Sequence, residues 1–328
     1  MKKNLMIAAV SLLTGLGVGA HAQAQAQDYP ARPVSLLVPY PAGAASDITA
    51  RAVQAPMSQS LGVQVVVENL GGANGALGAN RVLNAKADGY TLFQGSPNEL
   101  ILAGLTNKSV TYKPDDFQFV APVATSPYVV VTRADLGAAN VDELVALARQ
   151  RSVPLTYGSG GAGSMIHLIT AALAERTGVA LTHIPYRGGA PLITDMAGGQ
   201  IDFAIMPYQA NYEDLRREGR LKIIGTLNRE RLAALPDVPS VQESATLKDF
   251  NYTIWTAYLV KKGTPAAAVQ KLHTAIQASL RDPAARKTLE AQGKILFAPQ
   301  TLAEGDAFYT EQIAGLADLV QRSGFRGD

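Results

Sequence analysis

The 328-residue sequence has no cysteine, one tryptophan and four histidines. Without cysteine there is no disulfide framework, no thiol nucleophile, no thiolate metal ligand and no lipoprotein attachment point. One histidine lies in the first 26 residues; the others, His167, His183 and His273, form no His-Glu-x-x-His motif. No acidic loop of the calcium-binding type occurs. Charges of both signs are mixed along the chain to a net +2, with no basic block or basic–aromatic stripe, so nucleic acid is not an expected partner. No Gly-x-Ser-x-Gly elbow is present; Ser159 has glycine on either side, but at the wrong spacing. Past the first 26 residues no run is long and apolar enough to cross a bilayer. The absences point away from an enzyme, a metal site or a bound cofactor.

What is present starts with an address. Met1-Lys2-Lys3 is a charged lead, Leu5 to Ala20 is apolar, and Ala20-His21-Ala22 has the small-x-small form of a cleavage site, with further options at Ala24 and Ala26. Residues 1–26 are therefore expected to be a secretory signal cut near residues 22–26, giving an exported, periplasmic protein. An uncleaved anchor is the alternative, but the apolar core is marginal for a span and lacks a positive far flank. A mature chain of roughly 300 residues exceeds one comfortable core, so two lobes are expected.

The mature chain is organised around Val34 to Arg51. Val34–Val38 is a short apolar run of strand length, and Pro39 and Pro41 end any ladder because neither can donate an N–H. Small residues Ala42–Ala45 follow, then Ser46-Asp47 leads into a helical pattern with either residue as N-cap. A strand, a small-residue loop and a helix start form a backbone cradle for an anion. They also fit an ordinary, well-capped βα connection. Further βα units succeed it, with strands at 63–68, 90–93, 120–123, 128–132, 155–157, 181–185, 201–205, 221–226 and 253–260. Loops leaving the strand ends at Pro39–Asp47, Gly71–Gly75 and Ser96 should share one edge of a mostly parallel sheet. The boundaries expected are residues 27–127 with 254–328 for one lobe and 128–253 for the other.

Gly158-Ser159-Gly160-Gly161-Ala162-Gly163 matches the dinucleotide pattern, but the next strand offers His183 and Arg187 where an acidic residue should meet a ribose. What survives is glycine-loop N–H groups with the Ser159 and Ser164 hydroxyls at a helix start, able to hold a carboxylate. Ser164 fits an N-cap equally well, and His167, one turn on, fits either loop orientation or ligand contact. Asp202 in an apolar strand needs several partners, and holding a loop across the cleft is its first reading. Arg187 fits an anion partner or a solvated turn. Tyr40 and Trp255 fit core or cleft wall.

The chain resembles the Bug-type solute-binding proteins of tripartite tricarboxylate transporters. The resemblance rests on Tyr29-Pro30 with Arg32-Pro33, Pro41-Ala42-Gly43 with Asp47, Val67-Glu68-Asn69, Ala87 to Leu92, and Gly158 to Ser164 with His167. It continues through Pro185 to Gly188, Gly198 to Asp202 and Leu235 to Pro239. It implies an α/β, two-lobed, periplasmic-binding-protein-like (class II type) fold with lobes joined by crossing strands. The implied function is a monomeric receptor for a small organic carboxylate, a dicarboxylate or an aromatic acid, delivered to membrane transporter subunits or signalled to a sensor kinase. The implied ligand-binding set is Tyr40, Gly43, Ala44, Ser46, Asp47, Ser96, Ser159, Gly163, Ser164 and His167. Two departures stand out. Ala44 follows Gly43 where the family often has a second glycine, and Leu70-Gly71 follows Asn69 where an Arg-Pro pair is common.

Overall fold

The computed structural model describes residues 29–186 and 188–325, so the expected signal segment and Arg187 lie outside the described residues. In chain order the first unit runs β1 (Val34–Val38), α1 (Ala45–Leu61), β2 (Val65–Asn69), α2 (Ala76–Leu83), β3 (Thr91–Gly95) and α3 (Ala103–Thr106). The long β4 (Phe117–Arg133) then leads to α4 (Val141–Gln150), β5 (Leu155–Ser159), α5 (Met165–Thr177), β6 (Leu181–Pro185) and α6 (Gly189–Ala197). The second unit closes with β7 (Phe203–Pro207), α7 (Tyr212–Arg217) and β8 (Leu221–Thr226). The chain returns through β9 (Thr253–Lys261), α8 (Ala266–Ser279), α9 (Pro283–Ala291), β10 (Ile295–Leu296) and α10 (Leu302–Arg322).

The strands line up as β2-β1-β3-β9-β4-β7-β5-β6, with β8 and β10 also paired to β4. Strands β1, β2 and β3 are parallel, β9 runs against them, and β4 runs against β9 and so points the same way as the first three. In the second unit β5, β6 and β7 are parallel and β4 is antiparallel to β7 and β8. Two mixed sheets thus share one strand, giving the two-lobed α/β fold.

Helices on both faces explain the unbroken apolar strands. Val34, Leu36 and Val38 join Ala50, Val53 and Met57 of α1 and Leu272 and Ile276 of α8 in one core. Leu37, pointing the other way, joins Phe93, Leu100, Phe119 and Trp255 in another. A third core under β4 and β7 gathers Val129, Val131, Ala204, Met206 and Leu221.

Two expectations are corrected here. The strands expected at 120–123 and 128–132 are one strand of 17 residues that crosses between the lobes. The strand carries Pro122 and Pro127; the β4–β9 register shifts beside Pro122, and such irregularities are where a sheet tolerates a residue without an N–H. After Ser96 the chain does not loop but enters a π-helical turn, Asn98–Leu102, running into α3. Among the described residues, no helix is long and apolar enough to cross a membrane.

Candidate functional site

The turn after β1 is set by what its residues cannot do. Pro39 and Pro41 end the ladder, and α1 starts at Ala45 with Ala44 as N-cap, so no side chain caps the helix. Ser46 and Asp47, expected as caps, lie instead in the first turn. Asp47 reaches back, its Oδ2 accepting from the Gly43 N–H (2.9 Å) and Arg51 Nε (2.9 Å) and its Oδ1 from Asn69 Nδ2 (3.0 Å). Burial works to raise the Asp47 pKa, but the Arg51, Gly43 and Asn69 donors outweigh it and hold the carboxyl below its ordinary value. Asn69 also donates to the Tyr40 carbonyl (3.0 Å), and Gln94 donates to the Ser46 carbonyl (2.7 Å), which locks the loop from two strands. The N–H groups of Ala45, Ser46 and Asp47 have no acceptor among the described residues. They form the positive end of a 17-residue helix.

Beneath the loop lies Glu99, which is only 1 % exposed. Its Oε2 accepts from Tyr40 Oη (2.9 Å) and Ser96 Oγ (2.9 Å), and its Oε1 from the Ser96 N–H. Burial pushes Glu99 up to about 7, against the lowering effect of the Ser96 and Tyr40 donors. Gly75, at φ 88°, makes room for it, since a Cβ there would stand 2.7 Å from Glu99 Cβ. The Gly71–Gly75 loop therefore supports the site from behind rather than facing it.

Above the loop is a cavity of about 560 Å³. Tyr40, Gly43–Ser46, Ser96 and Asn98 line it from the first lobe, Ser126, Ile254 and Thr256 from the crossing strands, and Pro207–Asn211 from the second lobe. Ala291, Gln292 and Lys294, from the end of α9, complete the wall. Of two other concavities, about 490 and 550 Å³, one lies at the start of α4, where Asn140 already caps the helix, and one between α1 and α9. Neither offers an uncapped helix start.

Five of the ten expected residues, Tyr40, Gly43, Ala44, Ser46 and Ser96, thus line one cavity. Asp47 sits behind it, holding the loop. Ser159, Gly163, Ser164 and His167 are brought together elsewhere. Ser164 caps α5, the Gly163 N–H donates to His167 Nδ1 (3.0 Å), and Ser159 Oγ lies 2.5 Å from His183 Nε2. The His167 and His183 rings stack at 4.1 Å, and burial, then the neighbouring His183, lowers His167 to about 4. The Met165 N–H at the start of α5 donates to Asn98 Oδ1 (3.0 Å), so a first-lobe side chain occupies the place expected for a ligand group.

One further expectation changes, for Asp202, and one alternative left open, for Trp255, is decided. Asp202 holds no loop across the cleft. It accepts from Arg133 Nε (3.0 Å), the Thr156 N–H (2.8 Å) and Thr156 Oγ (3.0 Å), pinning β4, β5 and β7 at the end of the sheet remote from the cavity. Trp255 is core, packed on Phe119, Phe308 and Tyr309 with Nε1 donating to Gln312 (2.9 Å). Its neighbours Ile254 and Thr256 face the cavity, as strand alternation requires. That alternation was legible; which face met the cavity was not. Asn98, Glu99, Ser126, Tyr208 and Lys294 were missed because no local pattern marks them.

Residues 49–324 match the family model described as the tripartite tricarboxylate transporter family receptor. The protein BugT of Bordetella pertussis is 32 % identical over 311 residues, 93 % of this chain and 94 % of that protein. The structure of the periplasmic binding protein BugD superposes with a TM-score of 0.81 at 31 % identity, covering 92 % of this chain and all of that one. An R. palustris protein solved with adipate gives 0.83 at 27 % identity, with the same coverage.

Proposed function

Because the chain belongs to the family of tripartite tricarboxylate transporter receptors, we propose that it is an exported, periplasmic binding protein, not an enzyme, that captures a small organic carboxylate and delivers it to a membrane transporter of that type. The observation that carries this reading is the uncapped start of α1, where the N–H groups of Ala45 and Ser46, without an acceptor among the described residues, belong to residues lining an interlobe cavity. Unpaired donors at a helix start favour an anion, and the described residues of the lining include no acidic side chain to compete for them. On this reading the ligand carboxylate lies against the turn of Gly43, Ala44 and Ser46 and accepts from the Ala45 and Ser46 N–H groups, with Tyr40 and Ser96 beside it and Asp47 positioning the loop. Ser159, Gly163, Ser164 and His167 stay outside the ligand set because their polar groups are engaged with one another and with His183. The lobes, residues 27–127 with 254–328 and residues 128–253, close on the ligand as a monomer and present the closed form to the transporter. The adipate-bound neighbour supports a carboxylate as the ligand class.

A thermal-shift screen of the mature protein against mono- and dicarboxylates tests this. A ligand at about 100 times its Kd adds roughly 2.7 kcal/mol to stability. A hit confined to carboxylates is expected; stabilisation only by neutral or cationic solutes would overturn the reading.

A further inference from the structure

Lys294 is the one charged side chain among the described residues lining the cavity. No carboxylate lies within ion-pair distance of it among the described residues, and its Nζ donates to the hydroxyl of Ser126 (3.2 Å), itself buried in the strand crossing. A lysine just past a helix C-terminus ordinarily complements the helix dipole or points to water. Here the chain around it is held. The N–H groups of Gly293 and Lys294 donate to the carbonyls of Glu290 (2.9 Å) and Leu289 (3.2 Å) in closing α9. Gly293, at φ 74°, lies directly under the Tyr208 ring, where any Cβ would collide. The ammonium is thereby turned away from the end of α9 and across to β4. Burial alone, with no charged neighbour contributing, lowers its pKa to about 8. A cation kept in a cavity with only a hydroxyl for company carries an unrecovered desolvation cost, which an anion entering the cavity would relieve.

We infer that Lys294 is the counter-charge for a second carboxylate, so that the cavity is built for a dicarboxylate, one end on the start of α1 and the other on Lys294. The inference rests on the carboxylate reading above and narrows it. Two positive features on separate elements, α1 and the α9–β10 connection, line one cavity of about 560 Å³ with no acidic side chain among its described lining residues. A monocarboxylate would satisfy the first and leave the second bare.

The test is calorimetric titration of the wild-type protein, Lys294→Met and Lys294→Arg with straight-chain diacids from malonate to adipate and with their monomethyl esters. The expected result is that at least one diacid binds the wild-type protein tenfold or more tighter than its monoester. In Lys294→Met that diacid falls to the level of the ester, whose own affinity changes little, while Lys294→Arg keeps the discrimination. Met preserves the length and apolar stem, and an unlowered melting temperature in the absence of ligand checks that it folds. Equal binding of diacid and ester to the wild-type protein, or discrimination that survives Lys294→Met, overturns the assignment and leaves the carboxylate reading standing. No binding of any diacid or ester would overturn both.

Discussion

The starts of α1 and α5 make an instructive pair. Each follows a strand and a loop of small residues, and each has a serine in or beside its first turn. In α1 no side chain caps the helix, and the N–H groups of Ala45, Ser46 and Asp47 have no acceptor among the described residues, the first two belonging to residues that line a cavity. In α5 two of the three corresponding donors are taken, the Met165 N–H by Asn98 from the other lobe and the His167 N–H by the Ser164 hydroxyl, and the His167 ring accepts from the Gly163 N–H just before the cap. A helix start becomes a site only where the chain supplies no acceptor of its own. Asp47 is the telling residue, because its carboxylate turns outward to Gly43, Arg51 and Asn69 instead of capping, which stiffens the loop while leaving the donors free.

The sharpest way to break the comparison is Ala45→Pro. Proline at the first helical position keeps the helix and deletes one N–H, and Ala44 already has the extended conformation (φ −69°, ψ 160°) that a following proline demands. Losing a hydrogen bond to a charged ligand should cost about 1.5–3 kcal/mol, on the order of 10- to 100-fold in Kd. Melting temperature should barely move; unchanged carboxylate affinity would remove α1 from the site.

Asp47→Ala should act next most strongly and on stability as well as binding. It leaves the Gly43 N–H and the Asn69 amide without their acceptor, a loss of about 1–3 kcal/mol measurable by denaturant titration. The pH dependence has a definite sign. A carboxyl held below its ordinary value stabilises the fold fully above about pH 4 and loses that contribution as the pH falls further. The wild-type advantage over Asp47→Ala should therefore shrink on acidification below that point.

Ser164→Ala should give the smallest effect. Removing a serine N-cap costs roughly 1 kcal/mol of stability, and carboxylate affinity should stay within twofold, because α5 serves the fold. An affinity loss comparable to that of Ala45→Pro would return α5 to the ligand set and erase the contrast.

The sequence by itself determined the βα rhythm, the small-residue turn after Val38 and the expectation that the Pro39–Asp47 and Ser96 segments leave their strands at one edge of the sheet. Those are local matters of apolar periodicity, of prolines that end a ladder and of residues small enough for a tight turn. Only the tertiary structure decided that β4 is one strand, because its continuity depends on pairing with β9, more than a hundred residues away in the chain. It also decided that Trp255 is core while Ile254 and Thr256 face the cavity, since the sequence gives the alternation but not the side on which Phe308 and Tyr309 will pack. Lys294 and Asn98 were beyond local reading for the same reason. What a side chain offers a ligand depends on which neighbours have already satisfied it, and those neighbours, Ser126 for one and Met165 for the other, are brought in by the fold.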